Sequence, residues 1–398
     1  MRRVVYTSYR MSYLLLFDIF RFGYLVLFAV LETMLMIGIY REWRRDRRSL
    51  AASPDLQARV SVIIPIHNER MRMQGLLDSL LEQDHPAEII FIDDRSDDGS
   101  AAMLAQFVRD ACGRGMGNCR IITLKENPGP NYKQYALGRG IAEASGDFLL
   151  FTDGDCALAP GWIGSMALRM ADGNTGVVIG PVLKKYLRKN FFYLYQCFDH
   201  EVRYNHLAGA VGLGAAGGSF GNNLIVSRKA LDEAGGYGAV PPSVTEDAAL
   251  VSLLRSHTRY KVRAAVLPDA VVETVAENSW RALISQTLRW NNGGLFSPDV
   301  VTRINYNLLM LLITIGVLAI PLLPFFPGLW PLPLCVYFVL LENTVAAFCL
   351  FRSKLPKGGI FTALGYFSCL LFTPLYFALM TIMGYLRVKI KWKEKELA

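Results

Sequence analysis

"DFLLFTDGD", residues 147–155, is an apolar run that stops at two aspartates one residue apart. A short apolar run closed by polar residues reads as a buried strand. Asp153 and Asp155 would then stand at its carboxyl end, where two carboxylates repel unless a cation or a set of donors lies between them. What the neighbouring segments bring to that strand end decides both fold and chemistry.

The preceding segments repeat the pattern. "VSVIIPI" (60–66), "EIIFIDD" (88–94) and "IITL" (121–124) read as strands, and "MQGLLDSLLEQ" (73–83) and "YALGRGIAEAS" (135–145) have helical spacing. Strands alternating with helices predict a mostly parallel α/β sheet. Open parallel sheets bind ligands beyond the carboxyl ends of their strands. Asp93-Asp94 and Asp153-Gly154-Asp155 both fall at such ends, so one edge gathers four carboxylates.

The rest of the chain is of another kind. Its 398 residues are 52% hydrophobic and carry a formal net charge of +8, with a mean hydropathy of +0.27. That is apolar enough to call for membrane spans. Tyr13 to Tyr40 reads as a retained transmembrane helix, and "REWRRDRR" (41–48) follows it directly. Basic flanks mark the cytoplasmic side and attract anionic headgroups. This places the amino terminus outside and the α/β segment in the cytoplasm, at a plasma (inner) membrane. Further apolar stretches run over 307–326, 334–351 and 360–386, before the basic close "RVKIKWKEKELA". Three crossings would leave that basic tail outside, so one segment is expected to be re-entrant or to lie in the interface. The domain reading is 1–48 (transmembrane helix and basic flank), 49–300 (cytoplasmic α/β domain) and 301–398 (two to three spans and basic tail).

No nucleic-acid motif accompanies the basic charge. Seven cysteines without a CxxC pair read as small buried residues in a reducing compartment. Glu32 and Glu342, inside apolar stretches, are expected to be protonated, paired or turned toward a polar path.

A D-x-D at a strand end suits Mg²⁺ or Mn²⁺, which take oxygen ligands from one or two carboxylates and from phosphates. Further candidates follow: Asp94 at the second strand end, Lys133 before a helix as a point charge for phosphate, Glu246 and Asp247 in "VTEDAAL" (244–250), and Gln286, Arg289 and Trp290 in "SQTLRWNNGG" (285–294). Each has a bland counterpart. Glu246 and Asp247 could be helix-start charges favoured by the dipole, and Trp290 an interfacial anchor. "FFYLYQCFDHE" (191–201) reads as a core helix more readily than as an aromatic platform, and the glycine-rich 209–223 as a flexible loop near the site.

Taken in order, Asp94, Asp153-Gly154-Asp155, Thr245-Glu246-Asp247 and Gln286-Thr287-Leu288-Arg289-Trp290 resemble the motif series of membrane-integrated family 2 glycosyltransferases of the processive type, similar to cellulose, chitin and hyaluronan synthases and to ceramide glucosyltransferase. The resemblance covers about residues 60–294. It implies a GT-A type α/β domain and inverting, metal-dependent transfer from a nucleotide-sugar donor, UDP-linked, to a growing polysaccharide. Asp94 would contact uridine, and Asp155 with Asp153 would hold the Mg²⁺ or Mn²⁺. Asp247 would be the general base beside Glu246. Gln286, Arg289 and Trp290 would close over the diphosphate and acceptor, with Lys133 near the diphosphate. The F-x-V-T gating loop of cellulose synthase is not found, which leaves processivity open. Single-sugar transfer to a membrane lipid remains an alternative, as does a non-catalytic transporter or scaffold. The few spans leave room for a second copy in a homo-oligomer.

Overall fold

The computed structural model describes residues 2–52, 58–113, 118–243, 245–356, 359–388, 390–392 and 395–397. Cys112, Val244 and the side chains of the closing basic run beyond Val388 lie outside the described residues. In chain order the first half contains α1 (Arg2–Ala52), β1 (Val60–Ile66), α2 (Gln74–Leu81), β2 (Glu88–Asp94), α3 (Ser100–Gly113), β3 (Cys119–Leu124), α4 (Tyr132–Glu143), β4 (Phe148–Phe151), β5 (Cys156–Leu158), α5 (Trp162–Leu168), β6 (Thr175–Ile179) and β7 (Val182–Lys184). There follow α6 (Phe191–Gly212), β8 (Leu224–Ser227), α7 (Arg228–Glu233), α8 (Glu246–His257), β9 (Lys261–Ala264), β10 (Val272–Thr274), α9 (Trp280–Leu295), α10 (Val300–Ala319), α11 (Pro331–Phe351) and α12 (Gly359–Tyr385).

The seven-stranded sheet has the order β3-β2-β1-β4-β8-β6-β9. β1 pairs in parallel with β2 and β4, and β2 with β3, whereas β8 runs antiparallel to both β4 and β6. The mostly parallel sheet expected from the alternating segments is present, with one reversed strand. β8 ("LIVS") is short, and although α6 precedes it, the glycine-rich stretch between them brings the strand back antiparallel to its neighbours. A smaller sheet, β5-β10-β7, stands beside the β4 end. Val62, Ile63, Ile64, Ile90, Phe91, Ile92, Leu149 and Leu150 are fully buried. At about 1.5–3 kcal/mol for each such side chain removed from water, these runs hold the sheet centre, and the charged residues that end them are left at its edge.

Among the described residues four helices are long and apolar enough to cross a membrane: α1 and the segments around α10, α11 and α12. The second half of α12 runs beside α9. Phe372 packs on Trp280 and the Tyr376 hydroxyl donates to Thr287 Oγ1 (2.9 Å), while Asn291 Nδ2 donates to the Met380 carbonyl (3.0 Å). At its first turns Gly365 touches Leu194 of α6, and at its last Gly384 touches Leu295 of α9. Both ends of α12 therefore meet elements attached to the α/β layer.

α6 is the core helix expected, with Tyr195, Phe198 and Tyr204 fully enclosed. It lies against α1 at glycine: a Cβ on Gly38 would overlap the Gly209 carbonyl, and one on Gly212 would overlap the Gly38 carbonyl. Only glycine lets the two backbones touch there. Between α1 and α11, Glu32 is paired, accepting from Asn343 Nδ2 (2.9 Å).

The carboxyl-terminal end of α1 is fastened to the sheet. Asp46 accepts backbone N–H groups from Val266 (2.7 Å) and Leu267 (3.0 Å) and forms an ion pair with Arg169, which also donates to Asp269 (3.0 Å). One turn earlier, Glu42 accepts the Ala264 N–H (2.9 Å) and pairs with Arg45 (2.6 Å). The acids of "REWRRDRR" thus face inward at i and i+4, and the arginines face out. Removing one partner of a buried pair leaves the other charge uncompensated. Asp46→Ala should therefore cost about 3–5 kcal/mol, read as a lower unfolding temperature in detergent and as faster proteolysis between α1 and the domain. An unchanged melting temperature would show that this anchor carries no stability.

Candidate functional site

The β1 and β2 ends are laced together. His67 Nδ1 lies 2.6 Å from the Asp94 carbonyl, the Asn68 N–H donates to Ser96 Oγ (3.1 Å), and the Arg70 N–H donates to Asp98 Oδ2 (3.0 Å). Asn68 and Arg95 take positive φ, 56° and 60°. Such backbone is uncommon outside glycine and persists where surroundings impose it. The buried Asp94 carboxylate accepts from Asn127 Nδ2 (2.8 Å) and Arg95 Nε (2.9 Å). The Arg95 guanidinium lies 4.8 Å over the Tyr132 ring. Together these groups make a planar, partly charged ledge at the β2 end.

At the β4 end, Asp153 lies 2.6 Å from Lys133 Nζ, and the same ammonium stands 3.6 Å from Glu246 Oε1. Lys133 is placed by its helix start, where the Asn131 side chain accepts the N–H groups of Lys133 and Gln134, as an N-cap does. Asn131 Nδ2 also donates to Glu246 Oε2 (3.2 Å). Asp155 turns to Arg72 (3.6 Å), which pairs with Glu69 (2.6 Å). Gly154 between the aspartates admits no side chain: a Cβ would come within 2.6 Å of Ile66 Cδ1. Asp247, half-buried at the start of α8, sits against Gly221, where a Cβ would lie 2.8 Å from its own. The glycine-rich segment therefore does border the site.

Burial alone would lower the Lys133 pKa, but Asp153 and Glu246 outweigh it and raise it above the usual lysine value. The ammonium thus stays charged, and its contribution to stability is fully present below the ordinary lysine pKa. Burial raises the Glu246 pKa, with Lys133 opposing and Asp247 adding to the rise. Burial lowers that of Arg289, against the pull of Glu246, Asp247 and Asp153. Asp153, Glu246, Asp247, Lys133 and Arg289 therefore form one electrostatic group.

Gln286 and Trp290 occupy the flank of that group. Gln286 Nε2 donates to Glu277 Oε1 (2.9 Å), and Trp290 meets the His200 ring edge-on at 5.4 Å with the Arg203 guanidinium 5.7 Å from its own ring. Trp290 is half-buried among α6 side chains, which disfavours the lipid-facing anchor. Sequence reading missed Arg72, Asn127, Asn131 and Lys184. Lys184 is a buried cation whose pKa burial lowers, with Asp155 and Glu277 opposing. Asn131 carried a legible signal, an Asn directly before a helix. Arg72 and Lys184 reach the site only through folding.

Among the described residues no three His, Cys, Asp or Glu side chains form a ready metal cage. The Asp153–Asp155 pair still fits a hard divalent cation. Mg²⁺ commonly takes one or two carboxylates and completes its shell with phosphate oxygens and water, and each aspartate already faces a cation here.

Residues 61–235 match the family described as Glycosyl transferase family 2. Over that segment, which runs from β1 to β8 of the mixed sheet, the chain is similar to a glycosyl transferase family 2 domain. Its four long apolar helices fit a membrane-associated member of that family. Similar curated proteins include the glycosyltransferase AglE of Haloferax volcanii, 33% identical over 26% of this chain and 33% of that protein. An N-acetylglucosaminyltransferase of Sinorhizobium fredii is 26% identical over 58% of this chain and 56% of that protein. The chain thus spans only a third to about half of the relatives it matches. Among solved structures, the mannosyltransferase PcManGT of Pyrobaculum calidifontis, in complex with GDP-Man and Mn²⁺, aligns over 90% of this chain and 99% of its own, with a TM-score of 0.49 and 17% identity.

The charge arrangement has a pH signature. Lys133→Met removes the cation shared by Asp153 and Glu246, pushing the Glu246 pKa further up. A carboxylate whose folded pKa is raised costs stability once ionised, so the deficit against wild type should grow as pH rises and shrink in acid, where Glu246 takes a proton. Melting temperatures across pH 5 to 8 test this, and a pH-independent gap would contradict the coupling.

Proposed function

We propose that this protein is an inverting glycosyltransferase that moves a sugar from a nucleoside-diphosphate donor to an acceptor at the membrane. The observation that carries the reading is Lys133, one ammonium within ion-pair distance of both the β4-end Asp153 and the α8-start Glu246. A diphosphate held at the strand end would then lie beside the acids of α8. Asp94 and the Arg95–Tyr132 ledge receive the base and ribose of a UDP-linked donor. Lys133 and Arg289 neutralise the leaving diphosphate. Asp153 and Asp155 are the residues that would hold Mg²⁺ or Mn²⁺, which when bound supplies further positive charge to the diphosphate. The acceptor hydroxyl attacks the anomeric carbon and the carbon–oxygen bond to the diphosphate breaks. Asp247 takes the hydroxyl proton, with Glu246 holding its surroundings. Gln286 and Trp290 flank the acceptor side.

The acceptor on this reading is a growing polysaccharide. Transfer of a single sugar to a membrane lipid is the second reading. It draws support from the aromatic cluster of Phe191, Tyr195, Trp280 and Phe372, where Phe191 and Trp280 remain partly exposed beside α12. Because both ends of α12 meet the α/β layer, we also place the basic tail on the domain's side of the membrane, in keeping with the basic run after α1.

Asp247→Asn keeps shape and removes the base. Transfer should fall by roughly 10²–10⁴-fold while UDP affinity, read by calorimetry, stays within a few-fold. A variant retaining more than about a tenth of wild-type rate would remove Asp247 from this role. Turnover should also require Mg²⁺ or Mn²⁺, and Asp155→Ala should weaken UDP binding in the presence of metal but not in its absence. Full turnover in excess chelator would contradict the metal reading. In vesicles given radiolabelled UDP-sugars, a polymer degraded by a glycan hydrolase supports the polysaccharide acceptor. An organic-soluble product bearing one sugar supports the lipid.

A further inference from the structure

A separate cavity of about 180 Å³ opens beside the α1 anchor, between the end of α1, the α5–β6 turn and β9. Its acids are already engaged. Glu42 is held by Arg45 and the Ala264 N–H, and Asp46 by Arg169 and two backbone N–H groups. Asp172 accepts the N–H groups of Asn174 (2.9 Å) and Thr175 (2.7 Å). The donors are not all engaged. Arg263 is half-buried on β9 and lines the cavity, with no carboxylate within ion-pair distance among the described residues. Thr175, 3% exposed, also lines it, and its buried hydroxyl has no hydrogen-bond partner among the described residues. Arg48 projects from α1 at the rim.

A buried hydroxyl without an acceptor carries a cost, and so does the half-buried guanidinium of Arg263, which Glu42 and Asp172 attract only from beyond ion-pair distance. One ligand removes both: a group with several anionic oxygens, small enough for this volume. We propose that the cavity binds a phosphate group, with Arg263 and Arg48 supplying charge and Thr175 a neutral donor. Arginine suits phosphate because its planar fork can meet two oxygens at once. The apolar stretch of α1 ends at Tyr40 and the cavity is built on residues 42–49, within about three turns of it. That is the level of phospholipid headgroups, which makes an anionic lipid of the domain-side leaflet the phosphate source at hand. The site is independent of the transferase reading.

The test uses the full chain in neutral detergent, titrated in one arm with short-chain phosphatidylglycerol and in the other with inorganic phosphate. Thermal shift and native mass spectrometry are the readouts. Wild type should show saturable stabilisation and retain one lipid. Arg263→Gln should weaken binding about tenfold or more, and Thr175→Val several-fold. Saturable binding of inorganic phosphate with the same sensitivity would keep the site and assign it to a soluble phosphate compound. The proposal fails if neither ligand gives a saturable shift, or if both variants bind like wild type. Should Arg263→Gln not yield folded protein, Arg48→Gln and Thr175→Val decide the matter by the same criterion.

Discussion

The ion pair between Asp46 and Arg169 is the contact on which the arrangement of the molecule depends. A buried carboxylate is costly unless its lone pairs are taken up, and Asp46 has a guanidinium and two backbone N–H groups to do so. The donors come from α5 and from the segment just after β9, at one edge of the main sheet. The acceptor comes from a helix whose earlier turns are apolar and exposed. The pair therefore fixes where the α/β domain stands relative to the apolar helices. The glycine contact of α1 with α6 adds a second point of attachment along the same helix, and two points fix an orientation where one would leave a swivel.

From that orientation the rest of the site follows. α6 carries three consecutive buried polar residues, Asp199, His200 and Glu201, which point to different sides of the helix; His200 meets Trp290 of α9, and Glu201 accepts from the Tyr366 hydroxyl of α12 (2.9 Å). α9 is thereby pressed against the strand ends, and Arg289 comes within electrostatic reach of Glu246, Asp247 and Asp153. The carboxylates of β4 and α8 would repel one another if left alone. Lys133, held by the Asn131 cap, lies between them. On the proposed function, the same cation that stabilises the unliganded cluster would meet a diphosphate, so stability and ligand binding would draw on one charge.

Most of the central sheet was legible in the sequence because its strands are buried on both faces and read as unbroken apolar runs. The carboxyl ends were legible too, since an aspartate after such a run can only stand at the edge. Asp94, Asp153 and Asp155 were found this way, the Glu246-Asp247 pair from a probable helix start, and Lys133 from its place before a helix. β6, β8 and β9 were not found. They are five, four and four residues long, and β8 follows a glycine-rich stretch with no periodicity to mark it.

The sequence by itself determined the α/β alternation, the apolar helices and the order of the acidic motifs, because burial, period and charge are local properties of a chain. Tertiary structure alone decided that Glu42 and Asp46 in a basic run turn inward, that Arg72 pairs with Asp155 and Lys184 comes within its electrostatic reach, that Trp290 packs on α6, and that α12 lies along α9. These outcomes rest on contacts between residues tens to hundreds of positions apart. A charge shows no local sign of its partner when desolvation and pairing are settled only after the elements have packed.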